Sequence, residues 1–334
     1  MFGNFIKYIN KLINLSENYN RQINNYKIIS KEPSMPSYAY INWGLFLIQQ
    51  GHINQGLEKL NTSVLINESN PEAYINLGIV LARDKKFNEA LKNFKQAIKL
   101  DSNNSYAWSC LAGAYSELNE NELAKSAFEK SLKLNKTNFS TYLNYGIFSY
   151  KNNQFQNAKI MFKKAYILDS SNPQPLLMLG MISINENNYE DALIKLQRLL
   201  INNPFNPDGL YLFALANFKL NKFNETIEYC KKSISFAPNK IENYSLLLEA
   251  YFNLDEKEKC LDGYTKYEQY CEQDWKYYNS WAIALQKFEQ YENSIEKFNK
   301  AIELKNDEYI IYNGLTYSYM NLQQYDKAKD SIKK

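Results

Sequence analysis

Residues 71–104 read PEAYINLGIVLARDKKFNEALKNFKQAIKLDSNN, and the same alternation of large and small side chains returns without a gap every 34 residues. The small residue of this stretch, Gly78, has counterparts in Gly44, Ala112, Gly146, Gly180, Ala214, Ala282 and Thr316, with Leu248 as the exception. A period of this length identifies a two-helix unit that cannot bury its apolar face alone and must stack on its neighbours. The 334 residues therefore predict a solenoid rather than one closed core.

With Pro71 at the first place of its unit, Gly78 stands at the eighth, and the twentieth reads Gly56, Ala90, Ala124, Ala158, Ala192, Thr226, Cys260, Ser294 and Ala328, all small. The fourth place (Tyr40, Tyr74, Trp108, Tyr142) and the seventh (Trp43, Leu77, Leu111, Tyr145) are large. Helices approach to roughly 8–10 Å only where small side chains face each other and bulky ones fill the flanks. Places eight and twenty thus predict the contact between the two helices of a unit. The large places recur at spacings of three, four and seven, which marks amphipathic helices, and an alternation of period two fits nowhere. Pro71, Pro173 and Pro207 fall at the first place, Pro175 at the third, Pro204 and Pro238 in the linker, and Pro33 and Pro36 before the first clear repeat. None interrupts a predicted helix, where proline is excluded.

In the quoted stretch Tyr74, Leu77, Gly78, Ala90, Phe94 and Ala97 match the pattern W-x2-L-G-x2-Y followed by A-x3-F-x2-A. On these residues the chain resembles the tetratricopeptide repeat family over residues 37–334. The resemblance implies an all-α fold, a right-handed α-solenoid superhelix of stacked two-helix units whose first helices line a concave groove. Nine units are in phase over 37–334, the last cut short at Lys334. Repeat seven, residues 241–274, departs from the pattern at Leu248, Lys257 and Tyr267, and is expected to be the loosest joint.

Residues 1–36 place Ile6, Ile9, Ile13, Tyr19, Tyr26 and Ile29 on the large places of the same frame, which predicts a degenerate capping repeat. Phe2, Ile6, Ile9 and Ile13 with Lys7 and Lys11 also fit an amphipathic helix on a membrane surface. No apolar stretch is long enough for a spanning helix or a signal core, so a soluble cytoplasmic protein is expected.

The chain holds 39 Lys and Arg against 36 Asp and Glu, and residues 37–334 carry 34 of each sign. Neutralising phosphates takes a basic stripe, and net charge supplies none, so no nucleic-acid partner is expected. Abundant Asn, Ile, Lys and Tyr fit the codon bias of an AT-rich genome. Cys110, Cys230, Cys260 and Cys271 lack metal or redox spacing and read as reduced structural residues. The single histidine, His52, lies in a turn with no catalytic partner supplied by pattern, and no phosphate-cradling glycine loop or nucleophile elbow occurs. No enzymatic activity, cofactor or metal is expected.

If the first helix faces inward, places two, five, six, nine, twelve and thirteen share the face that meets a ligand. The candidate groove comprises Asn42, Asn76 and Asn144 at place six, Ile75 at place five, Ile79, Ile147 and Met181 at place nine, with Tyr106, Tyr150, Tyr211 and Phe218. The family's chaperone-tail binders clamp a terminal carboxylate here with lysines, an arginine and asparagines. In this chain the corresponding places are mostly apolar, which points instead to an amphipathic helix or hydrophobic segment. Places five and nine either open into the groove or pack between adjacent first helices. The asparagines either hold the backbone of an extended peptide, since an amide donates and accepts, or reflect asparagine abundance. Repeats seven to nine differ, offering Glu249, Lys276, Lys287 and Asn321.

The function expected is a protein-interaction scaffold binding a peptide or helix of a partner protein. Two alternatives are the repeat half of a larger enzyme, such as a protein glycosyltransferase, and a membrane-tethered assembly factor held by residues 2–15.

Overall fold

The computed structural model describes residues 36–271 and 274–333. The expected capping repeat and the alternative membrane helix of residues 2–15 lie outside them. Among the described residues there are eighteen helices and no strand. They divide into two compact units, Met1–Leu168 and Asp169–Lys334.

Unit 1 holds α1 (Ser37–Gln49), α2 (Ile53–Ile66), α3 (Pro71–Arg83), α4 (Phe87–Leu100), α5 (Ser105–Glu117), α6 (Asn121–Leu134), α7 (Phe139–Lys151) and α8 (Phe155–Leu168). Unit 2 holds α9 (Gln174–Asn185), α10 (Tyr189–Asn202), α11 (Pro207–Lys219), α12 (Phe223–Phe236), α13 (Ile241–Asn253), α14 (Lys257–Cys271), α15 (Trp275–Lys287), α16 (Tyr291–Leu304), α17 (Tyr309–Asn321) and α18 (Tyr325–Ile332). Within each unit the two helices of a repeat pack as a hairpin and the second helix packs on the first helix of the next repeat; successive first helices also touch in unit 1 and, in unit 2, from α9 to α11, α11 to α13 and α15 to α17.

Several first helices start on a side-chain cap. Asn70, Asn104, Asn138 and Asn206, all at place thirty-four, accept from the backbone N–H of Glu72, Ala107, Thr141 and Gly209. Such a cap satisfies a donor that the first turn leaves free, and is worth about 1 kcal/mol. The turn inside each hairpin is equally regular. Place fifteen is left-handed in every repeat: Gly51, Lys85, Asn119, Asn153, Asn187, Asn221, Asp255, Glu289 and Gln323 all have positive φ. Asparagine tolerates this conformation better than other side chains, so its abundance has structural uses at both ends of the first helix.

The predicted contact of places eight and twenty exists in repeat one, where a Cβ on Gly44 would lie 2.9 Å from the Gly56 carbonyl oxygen. The contact recurs in repeat six, where Thr226 Oγ1 donates to the Ala214 carbonyl at 3.3 Å. In repeats two and four the glycine also seats the ring at place twenty-four: a Cβ on Gly78 would stand 2.5 Å from Phe94, and one on Gly146 2.6 Å from Phe162. Phe94, Phe128, Phe162 and Phe298 are buried as a result.

Repeat seven repacks where its pattern departs. Leu248 is buried at place eight, and the space it takes is released at Gly263, whose absent Cβ would lie 2.4 Å from Leu248 Cδ2. Tyr267 packs on Tyr244 with ring centroids 4.5 Å apart, and Tyr270 stacks on the same ring at 5.1 Å.

Candidate functional site

In unit 1 the first helices α3, α5 and α7 and their turns enclose a cavity of about 690 Å³. Ile79 and Ile147, both at place nine, stand at either side, and the place-nine residue between them is Gly113. A Cβ on Gly113 would meet nothing within 4 Å, so this glycine leaves a notch in an otherwise aliphatic row. Phe87, Phe94, Phe128 and Phe148 form much of the wall, with Cys110 and Ala114. Phe94, Phe128 and Phe148 are core residues, so the wall is fixed by packing that exists without any ligand.

The rim is polar. Arg83, Lys85, Glu117, Asn144 and Lys151 border the cavity, and Lys151 Nζ donates to Glu117 Oε1 at 2.6 Å. Burial pushes Cys110 up to about 12 and Tyr106 above its ordinary range. Cys110 is therefore a protonated wall residue at neutral pH rather than a nucleophile. Among the described residues no group of three or more His, Cys, Asp or Glu is arranged to hold a metal ion.

The structure brings together only part of the expected set. Ile79, Asn144 and Ile147 line the cavity. Ile75 does not face it: at 4 % exposure it packs with Ala97 and Ala107, closing the joint to the next repeat. Ile41 is buried in the same way at place five, so these two place-five residues belong to the stack, while Ile79 and Ile147 at place nine stay half-buried and open to the groove. Asn42 is exposed, but Asn76 spends its amide on its own helix, Nδ2 donating to the Glu72 carbonyl at 2.9 Å. Tyr150 packs edge-on against Phe155 at 5.6 Å, inside its own hairpin. Gly113 and the phenylalanine wall stand outside the groove expected from sequence, since Gly113 offers no side chain to a ligand and the phenylalanines lie off the six places of the inward face. The sequence signal for the notch is a glycine at place nine between two isoleucines.

In unit 2, Met181 is half-buried. Phe218 stacks edge-on against Phe223 at 5.5 Å, repeating the Tyr150 arrangement. Tyr211 lines a second cavity, of about 660 Å³.

Models of the tetratricopeptide repeat match residues 71–104 and 106–138. The model of anaphase-promoting complex, cyclosome, subunit 3 matches residues 185–267. The chain is a tetratricopeptide repeat protein. Solved structures repeat this fold. The C-terminal part of a TPR repeat-containing protein from Cytophaga hutchinsonii superposes with a TM-score of 0.60 at 17 % identity, covering 72 % of this chain and 99 % of that one. PilF of Pseudomonas aeruginosa gives 0.55 at 18 %, with 61 % and 92 % covered. The Cut9–Hcn1 hetero-tetramer of the APC/C gives 0.57 at 14 %, with 88 % of this chain but only 58 % of that chain covered. At these identities the likeness is one of fold. No curated protein matches this TPR chain in sequence.

Proposed function

We propose that this TPR protein is a non-catalytic interaction scaffold, and that the groove of unit 1 docks a segment of a partner protein with one large apolar side chain seated in the Gly113 notch. The observation that carries the reading is the pairing of a rigid aromatic wall with an unfilled place-nine position: the cavity of about 690 Å³ lies where Ile79 and Ile147 leave room and Gly113 adds nothing. A preformed, largely apolar concavity with a few polar groups at its edge is the usual form of a binding site. Asn144 at the edge supplies a donor and an acceptor for the segment's backbone, and each such hydrogen bond contributes only about 0.5–1.5 kcal/mol net. Apolar burial in the notch supplies most of the affinity. Four free cysteines suit a reducing compartment, in keeping with a cytoplasmic protein.

The test is a displayed library of random peptides selected on the wild-type chain and on Gly113→Leu. Retained peptides are expected to share one Phe, Leu, Ile, Met or Trp and to bind Gly113→Leu at least about tenfold more weakly. Peptides that bind both proteins equally would place the docking site elsewhere.

A further inference from the structure

The second cavity, in unit 2, has a different chemistry. Tyr211 and Leu215 of α11, Leu246 of α13, Trp275 of α15 and Ile310 of α17 give it apolar walls. On α13, Glu242 and Glu249 also line it, seven residues and so about two helical turns apart on one face. Neither carboxylate closes an ion pair among the described residues, whereas in the same unit Asp208 pairs with Lys240, Asp255 with Lys287 and Glu268 with Lys300. Lys219 draws on Glu249 without reaching it, and desolvation holds that carboxyl above the usual range. Both acids also push the Tyr211 phenol upward, behind burial, and all three side chains line the same cavity.

An independent observation lies in the same wall. Asn279 lines the cavity while only 7 % exposed, and its Oδ1 is buried with no hydrogen-bond partner. An acceptor left this way costs about 1–3 kcal/mol. Asp274 is committed to the start of α15, accepting from the Lys276 N–H at 3.0 Å. The lining thus holds three carboxylates and a spare amide against one ammonium, that of Lys276. Of the lysines around it, Lys240 over the Tyr211 ring pairs with Asp208 and Lys305 over Trp275 pairs with Glu308, while Lys219 acts on Glu249 from outside the lining, so acceptors outnumber cationic donors within the cavity. Glu242, Glu249 and Asp274 are not arranged to share a metal ion, since no metal-holding group occurs among the described residues. A lysine or arginine side chain answers every feature: three or five donors on a cation, and an aliphatic stem that packs on leucine and aromatic surface. Lining residues drawn from four first helices make a track longer than one side chain, which suits a polypeptide rather than a free amine.

We infer that unit 2 carries a second docking site, in which Glu242 and Glu249 select a lysine or arginine of a partner segment whose stem packs on Tyr211, Leu215 and Leu246. This site is separate from the unit 1 notch and is tested separately.

Random displayed peptides are selected on the full chain bearing Gly113→Leu, then measured on the same chain with Glu242→Gln and Glu249→Gln added. Peptides with a recurring Lys or Arg beside an apolar residue are expected, binding the doubly neutralised protein at least about tenfold more weakly and losing affinity as salt rises. Changing that Lys or Arg to Glu in the peptide abolishes binding. Glutamine has the shape of glutamate, so melting curves of the two proteins coincide and the loss reads as charge. Retained peptides without a basic position, no retained peptides at all, or equal affinity for both proteins would overturn the site. Failure of the unit 1 reading shows instead as unchanged binding to Gly113→Leu alone.

Discussion

Lys151 Nζ reaches Glu117 Oε1 at 2.6 Å across 34 residues of sequence, one full repeat. The two side chains occupy the same place, thirteen, in successive units, so the ion pair ties α5 to α7 at the mouth of the unit 1 cavity. Both remain about half exposed, where solvent screens the attraction and two flexible side chains must be ordered. Glu117→Gln is expected to lower stability by less than about 1 kcal/mol in urea unfolding. A loss several times larger would mean that the pair, rather than the core beneath it, holds these repeats together.

Two glycines of unit 1 are predicted to respond in opposite directions. A methyl on Gly146 would meet the Phe162 ring at 2.6 Å, and that ring is fully buried. Gly146→Ala should therefore destabilise by about 1–3 kcal/mol through overpacking. Gly113 faces open space within its helix, and Gly113→Ala should stabilise by about 0.5–1 kcal/mol through the better helix propensity of alanine. Urea midpoints shifting in the same direction for both would contradict the packing described.

In repeat seven the bulk of Leu248 and the absence of bulk at Gly263 form one arrangement, with 2.4 Å between Leu248 Cδ2 and the position of a Cβ on Gly263. Gly263→Ala alone should cost about 1–3 kcal/mol. In a Leu248→Ala background the same change should cost nothing or gain slightly, because the obstructing methyl has gone. A double-mutant cycle reads this as a coupling energy above about 1 kcal/mol, and additive single effects would refute it.

Burial raises Cys110, Cys230 and Cys260 to about 12 and Cys271 to about 11. Only the thiolate attacks a disulfide, and raising a thiol's pKa removes thiolate at any pH below it. At neutral pH the folded protein should react with an aromatic disulfide reagent at least about a hundredfold more slowly than the unfolded chain. Fast native-state labelling of Cys230, Cys260 or Cys271, all buried, would show an opening that the packing does not contain.

The hairpins, their boundaries and the aromatic packing at place twenty-four could be read from residues 71–104 and their echoes, because helix contact demands small and large side chains at fixed spacing. Groove membership could not be read as surely. Places five and nine lie on nearly the same helical face, and only the approach of the next repeat decides that Ile75 is covered by Ala97 and Ala107 while Ile79 stays open. The asparagines show the same limit. Asn76 and Asn144 share place six, yet Asn76 donates to the Glu72 carbonyl of its own helix while Asn144 lines the cavity, a difference that the place in the repeat does not carry.

An array of like units has an inherent ambiguity: a segment lying along it can slide by one period and find almost the same surface again. In the docking proposed for unit 1, Gly113 would remove that freedom. Moving a side chain anchored there by one unit would bring it onto Ile79 or Ile147, where branched carbons already occupy the room. The position of such a partner along the stack would then be fixed by a missing group of atoms, and placing a glycine at another place-nine position of unit 1 would create a second address.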